Sequence, residues 1–292
     1  MTLFDASSLS RLRDSTLIWA MRWRVAREIA LHEIRDALAG WAFYLTAALG
    51  SLLSALVIYN SLNFVAQSGL QVVARPFLAP LLISATLAAL YLGAWATLAI
   101  ARPRDQGTLR VLFFAPVDAY GVIIGHVLAG SVLYSAMMLI AVPILALIAL
   151  LTNVPLPPLL LVGLLPSPIY AATAVALGLC LSSIAGSSRT AIFFFGAVLL
   201  VILAIPAGYT ALLSIPATGR YYDALLFLRG FLRTLRDLLD WLSPFALIAA
   251  GLEASVRAGW GDLLVRLLAA TAGSLLWTLL AIWGLEKRGV LP

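Results

Sequence analysis

Charge is scarce along this chain, and the distances between charges outline its elements. Residues 37–74 form a charge-free run of 38, 76–101 one of 26, 119–188 one of 70, 190–219 one of 30, and 267–285 one of 19. About 20 apolar helical residues cross the hydrocarbon core of a bilayer. Backbone groups in lipid must bond internally, so each run is a helix or part of a closed barrel. Runs this long and uniformly apolar do not alternate as barrel strands do. The 70-residue run is too long for one helix, and Asn153, Pro155, Pro157 and Pro158 divide it near its middle. The pattern therefore predicts six spans, at 39–62, 77–101, 119–151, 158–184, 190–213 and 263–285. The expected fold is an all-α integral membrane protein, one transmembrane domain over residues 1–292.

Three segments do not fit a span. In residues 11–37, Trp19, Trp23, Ala26, Ala30 and Ile34 recur at intervals of three or four, which places them on one helical stripe. Arg24, Glu28 and Arg35 fall opposite. This reads as an amphipathic helix on a leaflet, its tryptophans at headgroup level, or as a plain positively charged anchor. Residues 106–114 follow the second run. Thr108 suits an N-cap, Leu109, Leu112 and Phe113 make one greasy face, and Pro116 stops the helix. A short helix between two spans is a docking knob for a partner or an ordinary interfacial loop.

The third segment is 214–262. Arg229, Arg233, Arg236 and Asp240 lie within about 60° of one another on a helix, and Leu228, Leu232, Leu235, Leu239 and Leu242 share another face. The arginine stripe is a solvated face, or the helix lies at the outer interface or folds over the bundle. The charge-free stretch 241–252 after it, 12 residues with Ser243 and Pro244 near its start, is too short to span and reads as re-entrant or interfacial.

Composition sharpens this picture. The chain of 292 residues is 63% hydrophobic and 11% charged, against about 25% charged in soluble domains. The net charge is +6, and 18 of the 19 basic residues are arginine. At this hydropathy, arginines mark membrane edges rather than nucleic-acid contacts. Placing both termini in the cytoplasm leaves 12 basic residues inside and 7 outside, which sets the expected orientation. The arginine-rich opening does not read as a secretory leader.

Several chemistries have no residues to carry them. The one lysine, Lys287, lies outside any Gly-x-x-x-x-Gly-Lys-Ser/Thr pattern, so no P-loop is present. His-Glu-x-x-His and Gly-x-Ser-x-Gly are missing. Cys180 is alone, and His32 and His126 suit packing or headgroup positions better than a ligand pair. The spans hold no mid-membrane ionisable group of the kind that ion-coupled transporters use. No catalytic, cofactor or metal site is expected, and energy has to come from a partner.

The stretch RDQGTLRVLFFAPVDAYGVIIGHVLAG, from Arg104 to Gly130, resembles the signature of ABC-2 type permeases. Arg104, Asp105, Gly107, Thr108, Leu109, Pro116 and Val117 match its charged residue, Gly-Thr-Leu and proline. Gly125-His126 stands where the family often has a lysine. Leu242-Ser243-Pro244-Phe245 is similar to the Leu-Ser-Pro motif before the last helix. REIALHEIRDAL, with Arg27, Glu28, Glu33, Arg35 and Asp36, is similar to the leading amphipathic helix.

The resemblance implies a permease subunit of an ATP-binding cassette exporter in a prokaryotic cytoplasmic membrane. ATP and Mg would bind on separate nucleotide-binding subunits. Residues 106–114 would be the coupling helix, with Arg104, Asp105, Gln106, Gly107, Thr108, Leu109, Arg110, Leu112 and Phe113 facing the ATPase. A second permease, the same chain or another, would complete the pathway; membrane lipid is the remaining partner and nucleic acid is not one. The long segment with Arg229, Arg233 and Arg236 departs from the pattern. The rival readings are a haem-exporter-type permease and a non-transporting membrane scaffold; a lipid-modifying enzyme lacks a nucleophile-base pair.

Overall fold

The computed structural model describes residues 6–68, 76–107, 118–215 and 222–289. The described residues form ten α-helices and no strand. They are α1 (Ala6–Ala39), α2 (Trp41–Ser68), α3 (Leu78–Asp105), α4 (Ala119–Thr152), α5 (Pro158–Leu164), α6 (Ser167–Ile184), α7 (Ser188–Leu213), α8 (Tyr222–Leu242), α9 (Pro244–Val256) and α10 (Trp260–Gly289). Among the described residues six elements are long and apolar enough to cross a membrane, α2, α3, α4, α5 with α6, α7 and α10, and the count is seven if the bent pair α8 and α9 is one span.

Local sequence explains where helices break. Gly40 separates α1 from α2. Asp118 caps α4, its carboxylate accepting the Gly121 amide at 2.9 Å. Asn153 ends α4 in the left-handed conformation, φ 53°, one that asparagine tolerates better than most residues. The segment expected as one helix at 158–184 is interrupted at Leu165 and Pro166, because prolines at 166 and 168 lack the amides that would carry α5 onward. The helix expected to end at 101 runs on to Asp105, with Pro103 inside its last turn.

Packing centres on α6. Its broadest contacts are with α10 and α3, and α1 lies along α4. Lipid tails are as apolar as leucine, so helices in a bilayer associate through close packing and interhelical hydrogen bonds rather than through water exclusion. Such hydrogen bonds average only about 0.6 kcal/mol, so close packing carries more of the burden. Gly178 of α6 meets Gly93 of α3 backbone to backbone: a Cβ at 178 would stand 2.4 Å from the Gly93 carbonyl oxygen. Gly130 of α4 receives Val175 of α6, and Gly284 of α10 receives Ser183. Between α2 and α3, Ser54 Oγ donates to the Pro80 carbonyl at 2.6 Å and lies 2.9 Å from Ser84 Oγ. Cys180 is buried within α6.

The pair α8 and α9, bent by 78°, enters and leaves by one end of the bundle. Arg229 near the start of α8 lies at the C-terminus of α7. Leu239 and Leu242 at its far end reach Ala197, Val198 and Val201, halfway along α7, across an apolar cavity of about 390 Å³. α9 then climbs beside α6 and α5, with Gly251 against Tyr170 and Ser255 against Gly163. Ser243 and Pro244, both buried, form the elbow, and Ser243 Oγ accepts the Ala246 amide at 3.4 Å to cap α9.

Candidate functional site

At one end of the bundle the C-terminus of α3 meets the turn between α6 and α7, and the N-terminus of α4 lies beside α1. The last turn of α3 supplies two charges of opposite sign. Arg104 Nη1 donates to the carbonyls of Ser183, at 3.3 Å, and Ala185. Asp105 Oδ2 accepts the Ser188 amide at 2.8 Å. Each charge meets the helix end that suits it. The last carbonyls of a helix lack partners and carry partial negative charge; its first amides carry the opposite. Ser182 Oγ reinforces the junction by accepting the amides of Ile100 at 3.2 Å and Ala101 at 2.9 Å.

The far side of the same segment is tied to α1. Arg22 Nε lies 2.5 Å from Asp118 Oδ2, and its guanidinium sits over Tyr120 at 4.7 Å and Trp19 at 5.5 Å. Five residues after Tyr120 on α4, Gly125 lets the α1 backbone approach: a Cβ there would stand 2.8 Å from the Ala26 carbonyl oxygen. His126 is buried, its Nδ1 2.8 Å from the Val122 carbonyl, an acceptor for an Nδ1 proton. Its Nε2 lies 3.4 Å from Glu33 Oε1, and Trp95 of α3 covers the ring at 5.8 Å.

The described residues hold no group of three or more metal-ligating side chains. The family model for ABC-2 family transporter protein matches residues 27–285. The chain belongs to the ABC-2 transporter family. No curated protein matches it.

For this ABC-2 family member the structure gives positions to several of the expected site residues. Gln106 and Gly107, expected to begin a coupling helix over 106–114, form the turn that closes α3, Gly107 at φ 72°. The Gln106 amide still bonds the Arg102 carbonyl at 3.1 Å, so the helical ladder persists that far before the glycine reverses the chain. Thr108, Leu109, Arg110, Leu112 and Phe113 lie outside the described residues. On α1, Arg27, Glu28, Arg35 and Asp36 are exposed, while Glu33 turns inward to His126. The expected apolar stripe is divided. Ala26 and Ala30 are buried against α4, but Trp19 and Trp23 stay 58% and 60% exposed, because the α4 glycines admit only small residues.

At the opposite end the arginine stripe of α8 is partly engaged. Arg229 caps α7 through the carbonyls of Leu212, at 2.5 Å, and Ile215, at 2.9 Å. Arg236 lies over Tyr209 at 5.3 Å and 4.0 Å from Asp240. Arg233 is exposed. Charge spacing alone had not marked Arg22, Ser182 or Ser188 as part of the site. The small residues of α1 and α4, at 26, 30, 121 and 125, were the available signal for the α1 contact.

The Glu33–His126 contact gives a pH expectation. Hydrogen bonding from His126 holds the Glu33 carboxyl below its usual 4.5, with burial working against it. A lowered carboxyl pKa stabilises the fold above the ordinary value, and that gain is lost as pH falls through the lowered one. Wild-type protein should therefore exceed Glu33→Gln in thermal stability at pH 7, with the gap closing below about pH 4.5. A gap unchanged down to pH 3 would exclude an ionised Glu33 as its source.

Proposed function

We propose that this chain is the permease subunit of an ATP-driven exporter in a prokaryotic cytoplasmic membrane, with both termini in the cytoplasm. Nucleotide-binding ATPase subunits would dock on residues 106–114 and hydrolyse ATP with Mg there. A second permease, the same chain or a related one, would face the first across the exposed apolar sides of α2 and α7. The substrate would pass between the two, and closure of the ATPases would rock the helices between inward- and outward-facing states.

The observation that carries this reading is the double anchorage around residues 106–117. Arg104 and Asp105 fix one flank to α6 and α7; Arg22 and Asp118 fix the other to α1 and α4. A segment with no mechanical task has no need of charged anchors on both flanks.

The test is purification from the native membrane in mild detergent, beside a Gly107→Pro/Leu109→Asp variant. We expect an ABC ATPase to accompany the wild type and to be lost from the variant at equal permease yield. An ATPase retained by the variant would remove 106–114 from the interface. A wild type without any ATPase would reject the permease reading.

A further inference from the structure

We infer that Arg104 and Asp105 are positioning residues that pass movement of the 106–117 segment to α7, rather than contacts to an ATPase. The inference rests on the permease reading and assigns these two side chains an intramolecular task.

The geometry gives each a distinct part. Both sit in the last turn of α3, immediately before the Gln106–Gly107 turn, so little slack separates them from the segment. Arg104 turns toward α6, the helix at the centre of the packing, and bonds its terminal carbonyls. Asp105 turns toward α7 and bonds the amide of its first residue, Ser188. The α6–α7 turn also has its own cap: Ser187 Oγ accepts the Thr190 amide at 3.3 Å. Asp105 therefore adds a bond from another helix to an end that is already capped within its own chain segment.

Within this chain α7 is far less enclosed than α6. Only Ala191 and Phe195 of its 26 residues are buried. Phe195 rests on Gly93 of α3, and Ala191 clusters with Ala101 and Ala185. Beyond these first turns its described contacts are chiefly with α8, through Gly208–Leu232, Arg236 over Tyr209 and the Arg229 cap. By contrast, 14 of the 18 residues of α6 are buried. Within this chain, displacement of the end of α3 thus meets a closely packed partner in α6 and a less closely packed one in α7. Arg104 is the pivot and Asp105 the pull.

Two variants separate this role from partner contact. Asp105→Ala removes the acceptor. Ser188→Pro removes the donor and leaves Asp105 free to meet an ATPase. Proline suits the first position of a helix, and Ser187 already holds the extended backbone that proline requires before it. Hydrogen–deuterium exchange would be followed in the permease–ATPase complex, with and without a non-hydrolysable ATP analogue and Mg, in peptides covering residues 189–200.

We expect an ATP-dependent change in wild-type α7 that is lost in both variants, with the ATPase still bound, and restored in Asp105→Glu. Release of the ATPase by Asp105→Ala but not by Ser188→Pro would make Asp105 a partner contact and overturn the inference. So would an unchanged response in Ser188→Pro, or no response in the wild-type complex. Wild type that carries no ATPase would instead sink the permease reading on which the inference stands.

Discussion

Alanine at position 178 is expected to lower stability by about 3 kcal/mol, the upper part of the range for overpacked interiors. One methyl group has this effect because of what it meets. The Cβ would lie 2.4 Å from the Gly93 carbonyl oxygen, 3.0 Å from Ala96 Cβ and 3.1 Å from the Thr97 amide nitrogen. Two of these atoms are backbone, so no rotamer change relieves the clash; α3 and α6 must separate. That separation also pulls Ser182 from the amides of Ile100 and Ala101 and weakens the Arg104 cap. Thermal denaturation in detergent, followed by size exclusion, is the measurement. Gly196→Ala is the control: no atom lies within 4 Å of its Cβ, and removing a helical glycine gains about 0.5–1 kcal/mol. Equal midpoints for the two variants would refute the backbone contact between α3 and α6.

Leucine at position 125 is expected to detach α1 while leaving the rest of the bundle folded. A Cβ there stands 2.8 Å from the Ala26 carbonyl oxygen and 3.0 Å from Ile29 Cβ, and leucine adds three more carbons to the same gap. A loss of about 3 kcal/mol at this contact shifts the docked population of α1 roughly a hundredfold. The contacts of Arg22 with Asp118 and of Glu33 with His126 go with it. Trypsin should then cut after Arg24 or Arg27 in the variant and spare the wild type, and ATPase recovered per permease should fall. A cleavage pattern identical to the wild type would sink the prediction.

The span-forming helices were legible because charge is excluded from lipid, so the gaps between Asp36, Arg75, Arg102, Asp118 and Arg189 bracket them. The arginine-rich helix and the short apolar stretch after it were legible as a unit apart from those six runs, and the structure bends the pair by 78°. The sequence did not show the depth of the elbow at Ser243 and Pro244, which depends on α7 and α6 standing on either side. The α1–α4 contact was hidden for a related reason. A search for large apolar residues favours Trp19 and Trp23, whereas the contact is made by Ala26, Ala30 and Gly125, which matter through their smallness. The bonds of Arg104 to Ala185 and of Asp105 to Ser188 were not legible because their partners lie 81 and 83 residues away along the chain.

Cys180 has a practical consequence. It is the single thiol in the sequence, 2% exposed near the C-terminal end of α6, a helix with 14 of its 18 residues buried. Water-soluble maleimides and methanethiosulfonates have no path to it in the folded protein. A cysteine introduced at an exposed site, such as Thr210 or Phe227, becomes the one reactive position without prior removal of the native residue. Sidedness, nucleotide-driven distances and cross-links between neighbouring copies are thus open to measurement on otherwise unaltered protein.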